Sequence, residues 1–514
     1  MVTSPDRLAS QAGLDILRQG GNAIEAAVAI GAALAVTYPH FCGLGGDAVW
    51  LVADRTGRQT TFLGIGQAAR NAVVDGPIPV RGSRSALTSA AVVDSWRHAL
   101  DYSVTNWGGR QPLSTLLEPA IGYAENGFPL TGSQAFWLEF RGAETAAWPG
   151  FRTIFAPGDG LTARGSIFRQ PQLATTLRAI ARHGPREFYE GELAARLASG
   201  LAAAGSPLTA ADLAATRTRE ATPLGLDYRG LTLLAPPPPT QGVSTLAIMG
   251  VLDRLDRSGV AEGSADFFHY AVEAVKQAFL DRGGIADPDF AAQATDRWLD
   301  PARLSGKAGV IERHHALPWP QPFRTGDTVF FAATDDAGRG VSVLQSLYFD
   351  WGSGVVAGDT GVLWQNRGAA FSADPAHPNA YAPGKRPFYT LNPGLALKDG
   401  VPHLLYGTQG ADGQPQTLSI VLSRLIDYGL SPEDALRRPR FLLGRTFSDS
   451  RDSLKLEEDA GSIVLADLAA RGHELSPISA LSPLAGQAGV IRIAADGTLS
   501  GAHDPRSDGC ALAL

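Results

Sequence analysis

A layered α/β protein is what this chain predicts, and three local patterns predict it. An Ala-rich apolar helix runs from Ala23 to Ala35 behind a polar cap. A strand, Ala48-Val49-Trp50-Leu51-Val52, follows a Gly-rich turn, and a strand, turn and second strand lie between Thr328 and Ser346. Helical and strand periodicities that alternate along a chain point to helices packed on sheets. With 514 residues, 44% of them hydrophobic, the chain can bury a large core, as two to four domains or as one large layered unit.

Taken in order, Leu8, Ala12, Leu14 and Leu17 have helical spacing, and Gly20-Gly21 ends that helix. Asn22 can cap the next one, with Glu25 three residues on as in a capping box. The loop Cys42-Gly43-Leu44-Gly45-Gly46-Asp47 comes before its strand. A phosphate-binding loop follows a strand and opens a helix, so no nucleotide site is expected here. From Gly108 to Gly191 the pattern is helical with polar loops, and Leu208 to Leu213 reads as a capped helical turn. Pro236 to Gly242 is a loop whose prolines pre-set φ. His269 to Asp281 is an amphipathic helix with Tyr270, Ala274 and Ala278 on one face. Pro301 to Gly326 loses periodicity and reads as a surface connection. Val329 to Ala333 is a strand, Asp335-Asp336-Ala337-Gly338 a turn, and a second strand starts at Gly340. Gly361 to Gly368 reads as a further strand, and Gly407 to Gly413 as a glycine-rich loop after the apolar Leu404-Leu405-Tyr406.

The net charge is -7, from 44 basic and 51 acidic residues with neither sign gathered into a run. That balance speaks against a nucleic-acid surface. Cys42 and Cys510 lie far apart without metal-ligand spacing, which predicts a reduced pair; no metal and no cofactor are expected. The N-terminal residues lack a charged segment followed by an apolar core, and no run of 18 apolar residues occurs. A cytoplasmic protein without a membrane span is the expectation.

The chemistry centres on Thr328. A threonine hydroxyl is a weak nucleophile, but cutting the Asp327–Thr328 bond frees an α-amino group on the same residue, and that amine can act as its base. An α-amino pKa of roughly 7.7–8.0 leaves a useful neutral fraction near neutral pH. On this stretch alone, the ordinary reading of Thr328 is a β-branched residue opening a strand, and only the surrounding pattern overturns it.

The stretch resembles the processing site of the γ-glutamyltransferase family of N-terminal nucleophile hydrolases. The helix, Gly-Gly-Asn, Ala-rich helix and Gly-rich turn before residue 48 are similar to that family's opening. Phe168 to Leu173, Phe188 to Gly191, Pro236 to Gly242, Arg438 to Phe441 and His503 to Gly509 continue the likeness. The resemblance implies an α+β fold, a four-layer αββα sandwich. Residues 1–327 would form a large subunit and residues 328–514 a small one, joined as a heterodimer that could itself pair. It also implies that Ser346 hydrogen-bonds the nucleophile and that the backbone amides of Gly410 and Ala411 hold the oxyanion. Arg367 would enter the cleft, where its fork suits a carboxylate, with Thr390 and Asn392 as polar contacts. Arg440 and Arg506 read as structural.

The sequence departs from the γ-glutamyl pattern where an amino-acid head group would sit. Gly66 stands in place of the family's clamping arginine. Ala369-Ala370-Phe371-Ser372 lacks the acid before Phe-Ser, and Tyr348 and Tyr389 replace smaller polar residues. These changes resemble the oxamate amidohydrolase branch. They imply a small carboxylate-bearing amide as substrate, with Tyr348 and Tyr389 narrowing the pocket. The alternatives are a γ-glutamyl hydrolase or transpeptidase, a glutaryl or cephalosporin acylase, and an uncleaved binding protein on the same scaffold.

Overall fold

The computed structural model describes residues 1–157, 163–319, 327–446 and 449–514, residue 327 by its backbone alone. Among them, two antiparallel sheets lie face to face. The seven-stranded sheet runs in the order Cys510–Leu512, Val2–Ser4, Asp327–Thr334, Gly340–Tyr348, Asp47–Ala53, Gln59–Gly64, Arg219–Ala221. The six-stranded sheet runs Leu499–His503, Ala488–Ile493, Val401–Thr408, Gly394–Lys398, Leu231–Ala235, Leu224–Tyr228.

The layering follows from the two-residue period of the strands. Val49, Leu51, Phe330, Ala332 and Leu344 point inward and meet Leu234, Leu395, Leu405 and Ile491 of the other sheet in one core. Their neighbours Trp50, Val52, Val329, Phe331 and Val343 point outward against the helices Arg7–Arg18, Ala23–Thr37 and Leu113–Asn126. On the far side, Leu233, Leu404, Tyr406 and Val490 pack on the helices Gly242–Asp253, Ala265–Phe279 and Gln414–Ile426. Helices therefore cover both outer faces, giving the αββα sandwich.

The predicted capping box forms. Asn22 Oδ1 accepts from Ile24 N and Glu25 N at 3.0 and 3.2 Å, and Glu25 Oε2 accepts from Asn22 N at 2.8 Å. Every residue of Ala23–Thr37 is buried, which its small side chains permit against the sheet. Two local expectations change. Residues 361–368 hold only single bridges, Val356 with Leu363 and Gly45 with Trp364, before a 3-10 turn at Arg367–Ala370. The supposed surface connection holds a helix at Pro301–Gly309, because Asp300 caps it and Leu304 is buried in the helical layer. No described helix is long and apolar enough to cross a membrane.

Candidate active site

Thr328 is the second residue of the strand Asp327–Thr334 and is buried. The neighbouring strand pairs Gln345 with Val329, and the regular register that ends there puts Ser346 opposite Thr328 on the same face. Thr328 Oγ1 lies 3.2 Å from Ser346 Oγ. Pairing then slips by one residue, so that Tyr348 faces Asp327, and Tyr348 takes the left-handed φ of +85°. A bulky residue adopts that conformation only where its surroundings impose it. Here the bulge turns the Tyr348 N–H back onto Ser346 Oγ at 2.7 Å and swings its ring into the cleft.

That ring meets Arg367. The fully buried guanidinium lies between two aromatic faces, 4.0 Å from the Tyr348 centroid and 4.4 Å from that of Tyr389. Its Nη1 reaches Thr390 Oγ1 at 3.5 Å, while Nε and Nη2 have no hydrogen-bond partner among the described residues. Burial pulls its pKa down, and the neighbouring Tyr389, Tyr348 and Asp47 work the other way. A buried guanidinium with open donors is a costly arrangement that an anion relieves.

Asp47 holds this wall from behind and was not singled out from sequence. Its Oδ2 accepts from Tyr389 OH at 2.7 Å, and Oδ1 accepts from Gly66 N and Ala91 N at 2.9 and 3.0 Å. Burial pushes its carboxyl up to about 6, against the lowering effect of the Tyr389 hydrogen bond and the Arg367 charge. The available signal was an acid opening an otherwise apolar strand, where only dedicated donors make a carboxylate tolerable. Gly66, where the clamping arginine would stand, has no room for any side chain: a Cβ there would lie 1.6 Å from Ser89 O.

Gly410 and Ala411 follow the strand Val401–Thr408 with φ of +120° and +43°. No acceptor among the described residues takes either N–H, and successive amides in such turns form an anion-binding concavity. Gln241, also missed, ties this loop to the arginine wall by donating to Ala411 O at 2.7 Å and Thr390 O at 2.9 Å. Asp412 pairs with Arg282. Asn392 is buried but turns its amide to Thr245, on the helix Gly242–Asp253, instead of toward Arg367. Thus Thr328, Ser346, Tyr348, Arg367, Tyr389 and Thr390 form one connected group, Gly410 and Ala411 join it through Gln241, and Asn392 stands outside. Arg440 and Arg506 are buried against Asp504 and Glu457, the structural role read from sequence.

Elsewhere, His269, Glu273 and His473 bring three ligand-type atoms within 4.8 Å of one another. His269 Nδ1 and His473 Nε2 share a hydrogen bond of 2.8 Å, and the Lys276 ammonium sits 2.7 Å from Glu273 Oε1. An ammonium in that position occupies the place of a cation, and the group is a hydrogen-bonded network.

The two facing sheets between helical layers are the fold of the N-terminal nucleophile hydrolases, and the chain is an amidohydrolase. The family model for gamma-glutamyltranspeptidase matches residues 9–514, and the chain belongs to that family. It is 44% identical to the oxamate amidohydrolase proenzyme of Klebsiella pneumoniae over 99% of this chain and 98% of that protein. It is 40% identical to a glutathione hydrolase-like proenzyme of Bacillus subtilis, over 100% and 98%. Among solved structures, the cephalosporin acylase from Bacillus halodurans superposes with a TM-score of 0.90 at 32% identity, covering 99% of this chain and 94% of that one.

Proposed function

We propose that this protein is a self-processing hydrolase of small carboxylate-bearing amides, with oxamate as the substrate type. The chain is cut between Asp327 and Thr328, giving fragments 1–327 and 328–514 that stay together. The freed α-amino group of Thr328 takes the proton from its own Oγ, which attacks the amide carbonyl. Ser346 orients that oxygen. The amides of Gly410 and Ala411 hold the tetrahedral oxyanion. As it collapses, the C–N bond breaks, the α-ammonium returns its proton to the leaving nitrogen, and ammonia departs. Water, activated by the same amine, then attacks the Thr328 ester and releases oxalate with the hydroxyl restored. Arg367 binds the substrate carboxylate, with Tyr348, Tyr389 and Thr390 shaping the pocket.

The observation that carries this assignment is Arg367, whose Nε and Nη2 are buried without a partner among the described residues, beside the Thr328–Ser346 pair. A planar fork with two open donors matches a carboxylate, and the absence of an acid at Ala369-Ala370 disfavours an α-amino group. A relative named oxamate amidohydrolase agrees with it.

The test has two parts. N-terminal sequencing of the smaller fragment should begin at Thr328, and Thr328→Ala should leave a single band near 54 kDa with amidase activity lowered at least about 1000-fold. Processed protein should release ammonia from oxamate. Release of aniline from a γ-glutamyl anilide with no ammonia from oxamate would move the assignment to a γ-glutamyl enzyme.

A further inference from the structure

The loop Gly410-Ala411-Asp412 lies after Thr328 in the chain, yet two side chains from well before Thr328 hold it. Gln241 stands at the N-terminus of the helix Gly242–Asp253, and Arg282 opens the 3-10 turn that follows the helix Ala265–Phe279. Gln241 is fully buried and its amide is saturated. Nε2 directs one hydrogen to Ala411 O at 2.7 Å and the other to Thr390 O at 2.9 Å, while Oε1 accepts from Arg282 Nε at 3.2 Å. Arg282 Nη2 in turn pairs with Asp412, the residue after Ala411. The guanidinium is itself fixed against the rings of Phe279 and Phe388, 5.2 and 4.7 Å from their centroids.

These contacts bear on the direction of two N–H groups. Gly410 O accepts from Gly413 N at 2.7 Å, and in a planar trans peptide that turns the Ala411 N–H the opposite way. The preceding peptide is held in the same manner, by Thr408 Oγ1 donating to Gln409 O at 2.8 Å. The following peptide is held by Gln241 at Ala411 O. Ala411 thus lies between two pinned peptides with φ of +43°, a left-handed conformation that an alanine keeps only where its surroundings impose it. Release at Gln241 would let these peptides rotate and carry the Ala411 N–H away from an oxyanion.

We propose that Gln241 and Arg282 are positioning residues for the reaction: together they hold the Gly410 and Ala411 amides in the geometry an oxyanion requires, so that fragment 1–327 sets part of the machinery carried by fragment 328–514. This rests on the role given above to those two amides. The carboxylate side of the site depends on the Gln241 side chain less, because the Gln241 backbone N–H also donates to Tyr389 O at 2.9 Å, a bond that any residue but proline keeps. Loss of the side chain therefore acts on the chemical step more than on substrate binding.

The experiment measures kcat and KM of the processed full-length protein for an amide and for its thioamide, in which sulfur replaces the carbonyl oxygen. Sulfur accepts hydrogen bonds poorly, so the ratio of the two kcat/KM values reads the oxyanion donors and does not depend on how much of the protein is folded. Oxamate and its thioamide form one pair, a γ-glutamyl anilide and its thioanilide the other. Gln241→Met and Arg282→Met should lower kcat about 100-fold with KM within about fivefold, and should lower the amide-to-thioamide ratio about tenfold. Arg282→Lys, which keeps a cation beside Asp412, should bring the ratio back to within about threefold of the unsubstituted protein. Hydrogen exchange read by mass spectrometry is the second measurement: residues 409–413 should exchange at least about tenfold faster in both methionine variants, and the strand Ala488–Ile493 at its original rate.

An unchanged ratio in both methionine variants would overturn the proposal whatever the fall in kcat, since lost folded protein lowers amide and thioamide turnover alike. Turnover of the anilide pair alone would overturn the oxamate assignment, and the ratio read on that pair would still judge Gln241 and Arg282. Where neither pair is turned over, or a variant stays uncut, exchange decides, and an unchanged rate at residues 409–413 overturns the proposal.

Discussion

Replacing Arg367 by lysine keeps a positive charge but removes the planar fork that lies between Tyr348 and Tyr389. Arg367→Lys should raise KM for a carboxylate amide about 100-fold, with a smaller change in kcat, as steady-state kinetics would reveal. Gly66 is constrained by a backbone oxygen that cannot move aside, because a Cβ would sit 1.6 Å from Ser89 O. Gly66→Ala should therefore destabilise the protein by about 1–3 kcal/mol in denaturant unfolding. Asp47→Ala removes the acceptor for two buried amides and the Tyr389 hydroxyl. It should cost about 2–4 kcal/mol, and Asp47→Asn less, since one oxygen still accepts.

At the scale of elements, the bulge between Gln345 and Tyr348 connects fold to site, because one extra residue leaves Ser346 on Thr328 and sends Tyr348 onto Arg367. The helix Ala265–Phe279 plays a different part by holding the chain at Glu312 and Leu317, ahead of the proposed cut. His269 Nε2 bonds Glu312 O at 2.7 Å, and Glu273 Oε2 accepts from Leu317 N at 3.0 Å. Burial lowers His269 to about 4 and His473 to about 3, so both are neutral in the fold. Their unfolded counterparts titrate near 6.5. The unfolded chain therefore binds more protons below that pH, and this contribution is complete above about 6.5 and lost as pH falls toward 4 and then 3. Asp6 and Asp47, raised to about 6, act in the opposite sense: their contribution is present below about 4 and lost as pH rises through 6. Thermal melts against pH should accordingly show a flatter acid limb in His473→Gln than in the unsubstituted protein.

Across the whole molecule, the proposed cut before Thr328 would fall inside a sheet to which both fragments belong. The strand Asp327–Thr334 lies between Val2–Ser4 and Gly340–Tyr348, and residues before 327 supply strands to both sheets. The fragments should co-elute in size-exclusion chromatography and part only in denaturant. Separation in native buffer would contradict a shared core.

Periodicity, capping and the Thr328–Ser346 hairpin were readable from the sequence because they depend on neighbours a few residues apart. The capping box at Asn22 and Glu25 and the turn at Asp335–Gly338 are satisfied by their own chain. The residues Thr328, Ser346, Arg367, Gly410 and Ala411 could be named through family likeness, and the missing head-group residues through what stands at Gly66 and Ala370. Asp47 and Gln241 were not legible, since the partners that tie them to the site, Tyr389, Thr390 and Ala411, lie more than 100 residues away. Nor was the turn of Asn392 away from Arg367, or the pairing of Arg282 with Asp412. Hydrogen bonds and ion pairs of that kind exist only once distant segments meet, so tertiary structure alone decides them, whereas the chain's local order already determines which strands and helices there are to bring together.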